Sequence, residues 1–137
     1  MFTASKYKIG LDSEDLFLAM MLALGINIRK QEDRYSSTDF VINDSILVEL
    51  KSSQNVYSDQ YNTIMFNIDK VLRWNTTEDI YIVYYFIKDK VYKSIKYNKD
   101  LFNQFDVKKN IWNKDTYLIP LNKCDDLDVF VQQITNA

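Results

Sequence analysis

Histidine is absent from this chain, cysteine and proline occur once each, and there are two glycines among 137 residues. Without histidine there is no imidazole to ligate a metal, to activate a serine or cysteine, or to switch charge near neutral pH. A single cysteine, Cys124, leaves no internal disulfide framework. With so little proline and glycine there is no Pro/Gly-rich linker at which to divide the chain. No apolar run approaches the ~20 residues of a membrane span. The opening MFTASKYKIG has no long apolar stretch behind its lysines, as a secretory signal would. The expected setting is soluble, cytoplasmic and away from membranes. Excess positive charge is also missing: 17 basic residues face 19 acidic ones, for a net charge of −2. A strongly basic domain would announce nucleic-acid binding. The absence excludes little, because a protein that holds divalent cations carries acids of its own.

What is present is a sequence rich in apolar and aromatic residues, 47% and 15%. That composition excludes a mostly disordered chain, and the length suits one domain over residues 1–137. Asp12 to Leu24 reads as a helix capped by Asp12 or Ser13, stopped by Gly25, with Leu16, Ala19, Met20 and Ala23 as its apolar stripe. Ile26 to Arg29 reads as a short strand and Gln31 to Ser37 as a loop. Thr38–Asn43 and Ile46–Lys51 form a hairpin around Asn43-Asp44-Ser45. Val56 to Trp74 has helical spacing at Tyr57, Tyr61, Ile64, Met65, Ile68 and Leu72, and Ile80 to Ile87 reads as a strand buried on both faces. Strands at Val91–Tyr97 and Thr116–Leu121 and a helix at Asp126–Ile134 complete an α/β (α+β) arrangement around one central sheet; residues 98–114 fit no single element.

The hairpin carries the chemistry. Side chains alternate along a strand, so Glu49 and Lys51 leave one face while Ile46, Val48 and Leu50 leave the other toward a core. A three-residue loop at Asn43–Ser45 pairs residue 42 with 46 and sets Asp39 opposite Glu49, with Cβ atoms ~5 Å apart. A two-residue loop would put an apolar side chain opposite Asp39 instead. Facing carboxylates repel, and an ordinary sheet avoids them. A hard divalent cation reverses the sign of that contact, since Mg²⁺ takes one or two carboxylates and keeps waters for substrate phosphate to displace. Lys51 points at the same spot, where its ammonium would orient an attacking water or neutralise charge on a phosphorane-like transition state. The backbone carbonyl of Leu50 offers another ligand. The plain alternative is a half-exposed hairpin with three solvated charges.

The run Asp39-Phe40-Val41-Ile42-Asn43-Asp44-Ser45-Ile46-Leu47-Val48-Glu49-Leu50-Lys51 resembles the signature of the PD-(D/E)xK nuclease superfamily. Its close spacing is similar to that of phage-type Holliday-junction resolvases. The resemblance implies a restriction-endonuclease-like central mixed sheet flanked by helices. It makes Asp39 and Glu49 the motif acids and Lys51 the motif lysine. Thr38 stands where the family often has proline, and Glu14 matches an additional acid that often completes the metal site. The implied activity is a Mg²⁺-dependent DNA endonuclease, with Mn²⁺ as a substitute, acting on junction-type or site-specific DNA. A phage or mobile element is the implied source, and its host's cytoplasm the setting. A homodimer or higher oligomer is expected, because cutting both strands with one small site per chain calls for two copies. The second reading is a nuclease-like module that binds nucleic acid or a protein partner without turnover.

Other features have simpler accounts. Gln54 and Tyr57 read as a polar loop and a helix-face aromatic rather than as water-positioning groups. The tyrosines of Tyr81–Tyr85 read as parts of a buried strand rather than a base-stacking platform. Lys6, Lys8, Arg29, Lys30 and Arg34 read as solvated charge. Met20, Met21 and Met65 read as core fillers, and Cys124 as a packed residue, with no base to activate it. A second acid-x-lysine, Asp106 to Lys108, has no clear strand around it.

Overall fold

A computed structural model describes residues 2–31, 38–53, 63–74 and 76–136, with side chains from Asp12 onward. Helix α1 (Phe2–Ala23) begins well before the expected Asp12. Residues 2–11 contain no helix breaker stronger than Gly10, which a helix interior tolerates at ~1 kcal/mol. Asp12, Ser13 and Glu14 therefore lie inside the helix, not at its cap. Its inward side chains are Ser13, Phe17 and Met21, while Leu16 and Ala19 face solvent. The buried stripe thus lies one position away from the expected one. Gly25 does stop the helix: its φ is +79°, its N–H donates to the Leu22 carbonyl, and the Ile26 N–H donates to Met21. These two bonds close a Schellman cap.

The remaining elements are β1 (Ile28–Lys30), β2 (Phe40–Ile42), β3 (Ile46–Ser53), β4 (Thr63–Asn67), α2 (Ile68–Leu72), β5 (Asp79–Phe86), β6 (Val91–Lys96), α3 (Lys99–Phe102), β7 (Asp106–Lys109), β8 (Asp115–Pro120), a single 3-10 turn (Leu121–Lys123), β9 (Asp125–Asp126) and α4 (Leu127–Thr135). They build a six-stranded sheet in the order β1-β2-β3-β5-β6-β9 and a three-stranded sheet in the order β4-β8-β7. In the larger sheet β3 and β5 run parallel and every other pair is antiparallel, so this is a mixed sheet. Joining parallel neighbours requires a crossover. Here it carries β4 and α2 onto one face of the large sheet.

The second sheet corrects the expected helix over Val56–Trp74. Residues 54–62 lie outside the described residues, but Thr63–Asn67 is a strand whose Ile64 and Phe66 are buried and whose Met65 is exposed. The Ile/Met/Phe spacing suits a helix, yet two-residue alternation against β8 wins once a partner strand is available. Met65 is accordingly not a core filler. Asn67 then caps α2 by accepting the Asp69 N–H at 2.8 Å.

Each face of the large sheet has its own core. One packs Ile46, Val48, Leu50, Tyr81, Val83 and Tyr85 against Phe17 and Met21 of α1 and Phe130 and Ile134 of α4. The other packs Ile82, Phe86 and Ile95 against Ile64, Phe66, Tyr117 and Ile119 of the small sheet, with Val71 and Phe102. Glu49 and Lys51 lie on the second face. Among the described residues no helix is long and apolar enough to cross a membrane.

Candidate active site

The β2–β3 turn decides the geometry. Asn43 and Asp44 adopt φ of 52° and 56°, a left-handed conformation that short polar residues tolerate. The Ser45 N–H donates to the Ile42 carbonyl at 3.1 Å. Ser45 is the one residue beyond a two-residue turn, so the ladder pairs Ile42 with Ile46, Val41 with Leu47 and Phe40 with Val48. The ladder's last pair is Phe40 with Val48, as a three-residue loop sets it, and Asp39 and Glu49 are the residues that follow on the two strands. Beyond Phe40 the strands part. The Asp39 N–H reaches the Val48 carbonyl at 2.9 Å, and the Asp39 carboxylate accepts the Leu50 N–H at 2.8 Å. Asp39 is therefore held by β3 itself. Because the N–H and C=O of one strand residue point to the same side, the Leu50 carbonyl leaves β3 toward Asp39 as well.

Glu49 is the outlier of the fold. It is 1% exposed, in a sheet where its neighbours are apolar. Its Oε2 pairs with Lys70 Nζ at 2.7 Å, while its Oε1 is buried and accepts no hydrogen bond from the described residues. Burial, and then the negative charge of Asp39, push its pKa up to about 7 against the pull of Lys70 and Lys51. A buried acceptor without a donor is costly, and native folds rarely keep one without a use. This disposes of the solvated-hairpin alternative for Glu49. Lys51 is half-buried, with its ammonium 5.9 Å from the centre of the Phe66 ring, a cation–π distance. Its register partner on β5 is Tyr84, whose hydroxyl donates to the Met65 carbonyl at 3.1 Å and ties the small sheet down beside the site. Burial raises the Tyr84 pKa to about 12, so it stays a donor.

Glu14 stands in the same field from the side of α1. Its pKa is raised by burial first and by Asp39 second, and lowered by Lys30 and Lys70. With the longer helix Glu14 lies inside α1, away from its N-terminus. Among the described residues, however, no three acids or cysteines already converge as a metal-ligand set. Lys70 is the residue that sequence reasoning missed. Asn67 before Asp69 was a legible helix start, but nothing local says that the next lysine reaches back to Glu49.

Gln54, Tyr57 and Arg34 lie outside the described residues, as do the side chains of Lys6 and Lys8. Arg29 and Lys30 pair with Asp44 at 3.6 Å and Asp15 at 2.6 Å, as exposed charges do. Tyr81 and Tyr85 are buried in the strand. Asp106 and Lys108 sit on a wholly exposed strand with no buried carboxylate. Cys124 has its pKa pushed up to about 12 by burial, and its thiol faces the Pro120 carbonyl, so it is no nucleophile.

Two solved structures share this arrangement of strands and helices. A nuclease from a fusellovirus superposes with a TM-score of 0.55 at 15% identity, covering 98% of this chain and 92% of its own. A bacterial homing endonuclease superposes with a TM-score of 0.53 at 13% identity, covering 90% and 88%. The chain shares the fold of these two nucleases. No protein-family model and no curated protein sequence matches it. Both superpositions extend over most of the chain.

Proposed function

We propose that the chain is a Mg²⁺-dependent DNA endonuclease of the PD-(D/E)xK type, with Mn²⁺ able to substitute. The observation that carries this reading is the buried Glu49, which lies in the field of Asp39 and has one carboxylate oxygen without a donor among the described residues. Such an oxygen fits a hard cation. Asp39, Glu49 and the Leu50 carbonyl would hold the ion, with Glu14 as a further carboxylate. Once bound, it would lower the pKa of a coordinated water and polarise a phosphoryl oxygen. The chain's own groups do the rest. Asp39 is fixed through one carboxylate oxygen, which accepts the Leu50 N–H. Lys51 orients the attacking water and offsets charge growing on the phosphate. Phe66 and the small sheet exclude bulk water from the Lys51 side. The fold shared with two nucleases supports DNA as the substrate, and two copies of the chain would serve the two strands of a duplex.

The test is cleavage of duplex, nicked and branched DNA with Mg²⁺ or Mn²⁺. Asp39→Ala, Glu49→Ala and Lys51→Ala are each expected to slow cleavage more than about a hundredfold, a loss typical of removing such a group. Wild-type rates from Lys51→Ala on every substrate overturn the assignment. The Lys70–Glu49 ion pair favours a second reading, in which a lysine permanently fills the cation's place and the module only binds. That reading requires binding that survives EDTA and Asp39→Ala, with no turnover by the wild type.

A further inference from the structure

The β7–β8 hairpin is built unlike the rest of the molecule. Its tip carries Ile111 and Trp112, 87% and 69% exposed. Such exposure is not slack. Asn110 Oδ1 accepts the N–H groups of Trp112 at 2.9 Å and Lys114 at 3.0 Å. The Asn110 N–H donates to the Lys114 carbonyl at 2.9 Å, and the Asn110 carbonyl accepts the N–H of Asn113, which sits at φ 59°, at 2.9 Å. Four bonds around one asparagine hold two large apolar side chains in water, where they gain nothing for folding.

Their flanks indicate what they meet. Lys108 and Lys114 are exposed on either side, and Lys109 pairs with Asp115 at 2.9 Å. Protein interfaces deplete lysine around their aromatic anchors, whereas nucleic-acid interfaces combine lysine, asparagine and a stacking ring. Position agrees. Asn67 pairs with Thr116, so the tip leaves the small sheet at the end where α2 departs to deliver Lys70 to Glu49. At ~3.3 Å per residue it extends roughly 10 Å past that edge.

We propose that this tip is a nucleic-acid wedge: Trp112 stacks on a base at an opened or unstacked step of DNA, with Ile111 beside it, and Lys108 and Lys114 hold the flanking phosphates. The proposal rests on the reading of the site as a DNA nuclease, and it names the feature of the substrate that the enzyme selects. An apolar side chain inserted at a base step is repaid when the step is already disturbed, so nicked and branched DNA should be preferred over intact duplex.

The chain has two tryptophans, and Trp74 is packed 5.7 Å from Phe66 and 5.3 Å from Tyr97. Iodide quenching therefore reports mainly on Trp112. The experiment titrates the full-length protein with nicked, branched and intact DNA in Ca²⁺, reading both quenching and affinity. Protection of Trp112 by nicked or branched DNA is expected. Trp112→Ala should weaken binding to them about tenfold, and Trp112→Phe should recover most of it. Lys108→Ala with Lys114→Ala should flatten the dependence of log affinity on log salt by about one unit per lysine. Wild-type binding by Trp112→Ala, equal loss on all three DNAs, or iodide protection that rises with protein concentration alone would overturn the wedge. Cleavage in Mg²⁺ separates the two claims. DNA protection of Trp112 without any cleavage sinks the hydrolase and keeps the wedge. Asp39-dependent cleavage without protection does the reverse.

Discussion

The two hairpins β2–β3 and β7–β8 invert one another. Both turn on asparagine with a residue at positive φ, and both are antiparallel. In the first, all of β2 is buried and the side chain out of place is a charged one, Glu49. In the second, all of β7 is exposed and the side chains out of place are apolar, Ile111 and Trp112. Each hairpin thus breaks the usual partition of residues between core and water, in opposite senses. A fold that optimised stability alone would do neither, and such local conflicts mark where selection acted on something else.

The contrast can be broken most severely from inside. Phe40→Ala removes a fully buried ring packed 5.3 Å from Phe17 and should cost about 3–5 kcal/mol, read by denaturant unfolding. Next comes pH. Folded Glu49 titrates near 7, above the ordinary carboxylate value of 4.5, so the folded state favours the protonated form. The stability this contributes is present below pH 4.5 and is lost as pH rises through 7, on the order of 3 kcal/mol in all. Metal-free protein should therefore lose stability between pH 5 and pH 8, and Glu49→Gln should flatten that slope, monitored by thermal unfolding. Mg²⁺ should flatten it as well, since metal binding favours the ionised ligand. The smallest effect belongs to the outer hairpin. Trp112→Ala and Val107→Ala should each shift stability by no more than about 0.5 kcal/mol. A large loss from either would mean that the exposed hairpin serves the core after all.

The hairpin holding Asp39 and Glu49 was readable because its rules are local: strand alternation, turn length and a short run of residues fix which side chains share a face. The strand at Ile80–Ile87 was readable because continuous apolarity has few other uses. The crossover was not. Ile64, Met65 and Phe66 fit either period, and the choice was made by β8, some fifty residues further along the chain. Lys70 was hidden for the same reason, since its aim depends on where β4 ends. The stripe of α1 failed for lack of a reference point: Leu16 and Phe17 are equally apolar, and only the sheet decides which one faces in.

The sequence separation of these parts has a consequence for synthesis. Asp39, Glu49 and Lys51 have all been polymerised by residue 51, yet what buries Glu49 arrives later, with Lys70 from α2 and the parallel partner Ile82 from β5. Such long-range pairing is slow to form. A nascent chain that has just left the ribosome past its motif therefore holds the acids and the amine in water, without the dry surroundings that set their chemistry. The proposed active site would thus be assembled only once the crossover has closed over it.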